Sequence, residues 1–237
     1  MHTNNQHHNV IQKYNGINGR WIWIWAGLWL LMTLGLMLAV TPVELSVALS
    51  LKGSWNSAFG GFIQHWGRKP ASVLVIAAAF LLTSKHQRTL RPHLTRASAA
   101  LLVQFLLHPA ILTNVLKLLS GRIRPLHLEA DAANFTPFYS WSAGLGDFAF
   151  PSGHVAIAMI LSPCVIQLYL LRRYGACVAL AAVTLVWGGV MAWGRVMYGA
   201  HYLSDVLFSL GMGIAMGPVS LYAADHILQR INRHKTS

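Results

Sequence analysis

The chain has 237 residues, of which 55% are hydrophobic and only 10% charged, with a mean hydropathy of +0.48. That balance excludes an ordinary soluble globular protein and points to repeated membrane crossing. Eighteen Lys and Arg against six Asp and Glu give a formal net charge of +12, which in so apolar a chain reads as loop charge that sets topology and meets anionic headgroups, not as a nucleic-acid footprint.

Residues 1–20 are polar and read as a cytoplasmic tail; His2, His7 and His8 have no partner ligands there and are read as solvated. Trp21 to Val40 is nearly continuous apolar sequence, long enough for a bilayer core of roughly 30 Å. Trp21, Trp23, Trp25 and Trp29 crowd its entry end as an interfacial belt does. Between Thr41 and Lys69, Trp55, Phe59, Phe62, Ile63 and Trp66 recur at helical spacing, which fits an amphipathic interfacial helix or a re-entrant segment. Further spans are predicted over 70–84, 98–119 with a kink at Pro109, 155–171, 175–193 and 203–223. Residues 21–225 thus form one membrane domain, and 226–237 a basic cytoplasmic tail. Cys164 and Cys177 lie inside apolar runs and read as small buried residues. His108, beside Pro109, reads as a packed histidine.

Six spans place both termini on one side. That side carries eleven Lys and Arg, and the other carries Lys52, Arg68, Lys69, Lys117, Arg122, Arg124 and Arg195. The bias predicts cytoplasmic termini and an outward-facing third and fifth loop. The fold class expected is therefore all-α: an integral six-helix bundle whose active site lies at the outer, periplasmic face of the inner membrane.

Three stretches flank the ends of these spans on that face: Lys117 to Pro125 with Arg124, Pro151-Ser152-Gly153-His154, and Arg195 to Asp205 with His201. Ionisable groups at membrane depth are costly and read as functional. Lys117, Arg124 and Arg195, with the N–H groups at the start of the span after Ser152, suit a phosphate-like anion. The histidines supply what anion binding alone does not need. His201 and Asp205 are one helical turn apart, so the carboxylate can accept from one imidazole nitrogen and leave the other a lone pair for nucleophilic attack. His154, from a different helix, is then the proton donor to the leaving group. Phosphoryl transfer needs little beyond charge neutralisation and in-line geometry, and the three cations provide the first without a metal.

Taken in order, these stretches resemble the signature of the type 2 phosphatidic acid phosphatase (PAP2) superfamily: Lys-x6-Arg-Pro, Pro-Ser-Gly-His and Ser-Arg-x5-His-x3-Asp. The resemblance covers Lys117 to Asp205. It implies a cofactor-free acid phosphatase of the bacterial lipid-phosphatase branch, in which His201 forms a phosphohistidine, Asp205 orients it and His154 protonates the leaving group. It also implies that Lys117, Arg124, Ser152, Gly153 and Arg195 bind the phosphoryl group. One departure is visible, since Gly194 stands where the family usually has Ser. Candidate substrates are undecaprenyl diphosphate, phosphatidylglycerophosphate, phosphatidate and the lipid A 1-phosphate.

Other residues read less directly. Arg122 is either an auxiliary headgroup contact or solvent-exposed. Glu129, Asp131 and Asp147 read as structural hydrogen-bonding groups; residues 134–138 with Tyr139 and Trp141 read as a headgroup wall or loop anchor; Tyr198 and Tyr202 as packing around the site. The alternatives are a lipid phosphotransferase working through the same intermediate, an anion channel or transporter with a basic selectivity ring, and a metal site built from His154, His201 and Asp205.

Overall fold

The computed structural model describes residues 19–84, 91–143 and 146–233. The tail residues His2, His7 and His8, the loop cations Lys85 and Arg88, and Lys235 lie outside these residues. Among the described residues every regular element is helical: α1 (Gly19–Ser50), α2 (Ala58–Trp66), α3 (Lys69–Thr83), α4 (Pro92–Phe105), α5 (Thr113–Ser120), α6 (Gly153–Ala158), α7 (Ser162–Leu170), α8 (Tyr174–Met197) and α9 (Leu203–Arg233). Five stretches are long and apolar enough to cross a membrane: Gly19–Ser50, Pro92–His127, Gly153–Leu170, Tyr174–Met197 and Leu203–Ile231. They mark the chain as a multi-pass membrane protein.

Several boundaries differ from those expected. α1 does not stop at Val40 but runs through Pro42 to Ser50. Proline removes one backbone donor, yet membrane helices tolerate this where a neighbouring hydroxyl takes up a freed carbonyl. Thr41 Oγ1 donates to the Met37 carbonyl at 2.7 Å, one residue before the carbonyl that Pro42 leaves unpaired. Around Pro109 the helix widens into a π-turn over Leu106–Leu112 and continues as α5. There Asn114 Nδ2 donates to the Ala110 carbonyl at 2.7 Å and the Pro109 carbonyl at 3.3 Å. At the C-terminus α9 extends to Arg233, so much of the expected tail is helix. α3 has 15 residues, about 22 Å of helix, short of the hydrocarbon thickness. It packs on α4 through Ala71, Ala78 and Leu101 and turns Val73, Ile76 and Phe80 outward, as a lipid-facing helix does.

α9 is the centre of the bundle, packed against α1, α4 and α7. Small residues let it approach. A Cβ on Gly213 would fall 2.3 Å from Met159 Cβ, and one on Gly217 would fall 3.1 Å from Ser162 Oγ, so this small-x-x-x-small pair serves packing within the chain. A polar seam follows it: Ser162 Oγ and Gln104 Nε2 both donate to the Gly213 carbonyl, at 2.7 Å and 3.1 Å. His108 is fully buried beside it.

The two ends of the bundle are unlike. At one, Arg96 at the start of α4 pairs with Asp225 late in α9, with Nε and Nη2 at 2.7 Å and 2.6 Å from the two carboxylate oxygens. Gly19, at the start of α1, abuts Tyr222 at the same end. The other end gathers the C-terminal parts of α1, α2, α5 and α8 and the N-terminal starts of α6 and α9, and there the motif residues meet.

The close approach at Gly213 sets a test. Gly213→Ala overpacks the contact and costs about 1–3 kcal/mol, read as a lowered thermal midpoint in detergent. Combining it with Met159→Ala restores part of the loss.

Candidate active site

Three consecutive carbonyls organise the site. Between Gly146 and Ser152 the chain passes under the bundle end, and Phe148 takes a left-handed backbone conformation, φ 61°. The Phe148 carbonyl accepts from Lys117 Nζ at 2.6 Å. The Ala149 carbonyl accepts from His201 Nδ1 at 2.6 Å, and the Phe150 carbonyl from Ser120 Oγ at 2.9 Å. The Ala149 N–H in turn donates to the Arg122 carbonyl at 2.8 Å. One short strip of backbone thus fixes a cation from α5 and the imidazole before α9 relative to each other.

These bonds settle the tautomer of His201. A carbonyl can only accept, so Nδ1 carries the proton and Nε2 keeps the lone pair. The expected partner stands farther away: Asp205 Oδ2 is 3.7 Å from Nδ1, within electrostatic reach but outside hydrogen-bond distance. The Ala149 carbonyl therefore takes the orienting bond, and Asp205 Oδ2 accepts from the Tyr202 N–H at 2.8 Å instead. Burial pushes the His201 imidazole down to about 4, and the nearby charges of Arg195 and Lys117 act in the same direction while Asp205 opposes them. Its lone pair is therefore free at neutral pH.

His154 opens α6 on the other side. Its Nε2 donates to the Gln64 carbonyl at 3.1 Å, which leaves Nδ1 as the atom free to exchange a proton. The Gln64 side chain accepts from Arg195 Nη1, so one residue of α2 holds both groups. His154 lies within the field of Arg195, Arg68 and His201, and Lys117 within that of Arg124 and Arg195. A Cβ on Gly153 would lie 4.0 Å from Lys117 Cε. The residues expected from the sequence are thus brought to one place. Ser152 Oγ, Arg124 Nε and Arg195 Nε are buried donors with no hydrogen-bond partner among the described residues. The Ser152 N–H is already used, donating to the Asp205 carbonyl at 3.3 Å, so α6 offers one N–H fewer than expected.

Arg122 is neither a headgroup contact nor solvent-exposed. It is 1% exposed, lies against the Tyr202 ring at 4.2 Å, and pairs with Asp205 at 2.5 Å and Glu44 at 2.6 Å. Asp147 pairs with His127 and stands 3.8 Å from Arg124 Nε. Phe138, Tyr139 and Trp141 line an apolar cavity of about 380 Å³ with Leu34, Met37, Leu116 and Phe208, next to the Lys117 strip.

The decisive comparison is with protein families: the PAP2 superfamily matches residues 94–227, a stretch that holds all three motifs. The chain belongs to the PAP2 superfamily. Members of this superfamily are phosphatases acting on phosphorylated substrates. No solved structure matches the chain. Glu44 and Gln64 precede the PAP2 stretch and belong to none of the three motifs; their signal in the sequence is a lone carboxylate and a lone amide in apolar surroundings.

The PAP2 departure at Gly194 has a steric reason. A Cβ there would sit 2.7 Å from Ile63 Cγ1 and 3.0 Å from Ile63 Cβ, so α2 occupies the space that a serine would fill. That seat brings Gln64, the next residue, to Arg195. Restoring the family residue with Gly194→Ser should lower thermal stability by about 1–3 kcal/mol and weaken substrate binding by shifting Gln64. Ile63→Ala in the same chain should recover part of both, measured as midpoint and KM.

Proposed function

We propose that this protein is a metal-independent phosphatase of a membrane lipid phosphate or diphosphate. The observation that carries the reading is one basic cluster containing two imidazoles with complementary free nitrogens and three buried donors, on Ser152, Arg124 and Arg195, that lack a hydrogen-bond partner among the described residues. A phosphoryl group supplies the acceptors these donors need. Lys117, Arg124 and Arg195 neutralise the equatorial oxygens.

His201 Nε2 attacks phosphorus and the bond to the leaving oxygen breaks with its electron pair; His154, protonated on both nitrogens once the anionic phosphoryl group is bound and held through Nε2–H by the Gln64 carbonyl, gives that oxygen its Nδ1 proton and becomes neutral. Water then attacks the phosphohistidine, its proton passes to His154, and the N–P electrons return to Nε2 as phosphate leaves. The apolar cavity beside Lys117 gives one lipid chain a place while the headgroup reaches the pocket.

The same reading carries the topology. Gln64 lies at the site end and Arg96 at the far end, which supports reading α3, short as it is, as a sixth crossing. The loop charges support cytoplasmic termini and a site at the outer face of the inner membrane.

Purified protein in detergent, given phosphatidate and a prenyl diphosphate, should release phosphate at a rate that a chelator does not change. His201→Ala should abolish release, and His154→Ala should lower it by about 10²–10⁴-fold. Release near the wild-type rate in both variants would remove the phosphatase assignment.

A further inference from the structure

Glu44 is the only acidic residue among the first 128, and α1 carries it, fully inside the protein at 1% exposure, to the back of the site. Its Oε1 accepts from Arg122 Nη2 at 2.6 Å. Its Oε2 accepts from Ser204 Oγ at 2.5 Å. Arg122 Nη1 donates to Asp205 Oδ1 at 2.5 Å and to Ser204 Oγ at 2.8 Å, and Arg122 Nε donates to the Thr136 carbonyl at 2.8 Å. Arg122 and the Tyr202 N–H can only donate, and Ser204 Oγ already accepts from Arg122 Nη1, so its own proton is directed to Glu44.

The charge count gives this cluster a purpose. Arg122 and Asp205 alone would cancel, leaving no net charge behind the His201 Nδ1–H. Attack on phosphorus through Nε2 makes the ring cationic. On its open side the ring already faces Lys117, Arg195 and His154, and the first two are cations that disfavour that charge. Two carboxylates sharing one guanidinium keep one net negative charge on the buried side, where low polarisability makes it count. We propose that Glu44 is a positioning residue for phosphoryl transfer: by sharing Arg122 it leaves Asp205 enough negative charge to stabilise His201 as it becomes cationic. This inference rests on the phosphatase reading. It extends the site to a helix outside the stretch that matches the PAP2 superfamily.

The test is phosphate release from phosphatidate and a prenyl diphosphate by full-length protein in detergent. Wild type, His201→Ala, Glu44→Gln, Glu44→Asp, Arg122→Met and the Glu44→Gln/Arg122→Met double variant are compared, each checked for a monodisperse elution profile. Glu44→Gln should lower kcat by about tenfold or more while KM stays within about twofold, since the lost interaction acts only as the ring gains charge. Glu44→Asp, which keeps the charge, should recover part of kcat. The double variant should lose less than the product of the single losses, because removing the guanidinium returns the Asp205 charge. Wild-type kcat in Glu44→Gln, or multiplicative losses in the cycle, with His201→Ala inactive, would overturn the inference and leave the phosphatase reading standing. Wild-type release by His201→Ala would overturn that reading itself.

Discussion

A guanidinium buried between two carboxylates is the constraint around which the site end of this bundle is built. Arg122 follows α5, Glu44 comes from α1 and Asp205 from the first turn of α9, and the guanidinium lies 2.6 Å from the Glu44 carboxylate and 2.5 Å from that of Asp205. Taking such groups out of water is expensive, and leaving one without its partner costs about 3–5 kcal/mol. The pairing therefore fixes how α1 enters the bundle and where α9 begins. From that start, Tyr202 and His201 are placed by two backbone bonds, the Tyr202 N–H to Asp205 and His201 Nδ1 to the Ala149 carbonyl.

Against this anionic base the open side of the pocket is cationic. The chain holds six acids, and the structure spends them sparingly: Glu44 and Asp205 on Arg122, Asp225 on Arg96 at the far end, and Asp147 on His127 beside Arg124. Lys117 is held by a neutral carbonyl and Arg195 by a neutral amide. Neutral partners orient these cations without cancelling their charge, which is what an anion pocket requires. Packing and electrostatics are joined in α2, where Ile63 fills the gap beside Gly194 and Gln64 touches both Arg195 and His154.

Much of this was legible in the sequence because it follows from local pattern. Apolar runs gave the long helices, and the three motif stretches gave Lys117, Arg124, Ser152, Gly153, His154, Arg195, His201 and Asp205, which the fold gathers at one end. What was not legible depends on long-range placement. Ending the first span at Val40 leaves Glu44 outside it, although an isolated carboxylate next to a membrane helix is a signal in itself. The fate of Arg122 could not be read without Glu44, 78 residues earlier. The i to i+4 spacing of His201 and Asp205 suggested a direct bond, but helix α9 starts only at Leu203, so the imidazole precedes the regular turn and finds the Ala149 carbonyl instead. Gly194 looked like a lost hydroxyl and is the seat of a neighbouring helix.

The most direct measurement is the site of phosphorylation during turnover. Rapid acid-free quenching of the wild-type protein and of His154→Ala with a labelled lipid phosphate, followed by peptide mapping under conditions that preserve N–P bonds, should place the phosphoryl group on His201 and on no other residue in either. Label on Ser152, on His154 or on no residue while phosphate is being released would contradict the account.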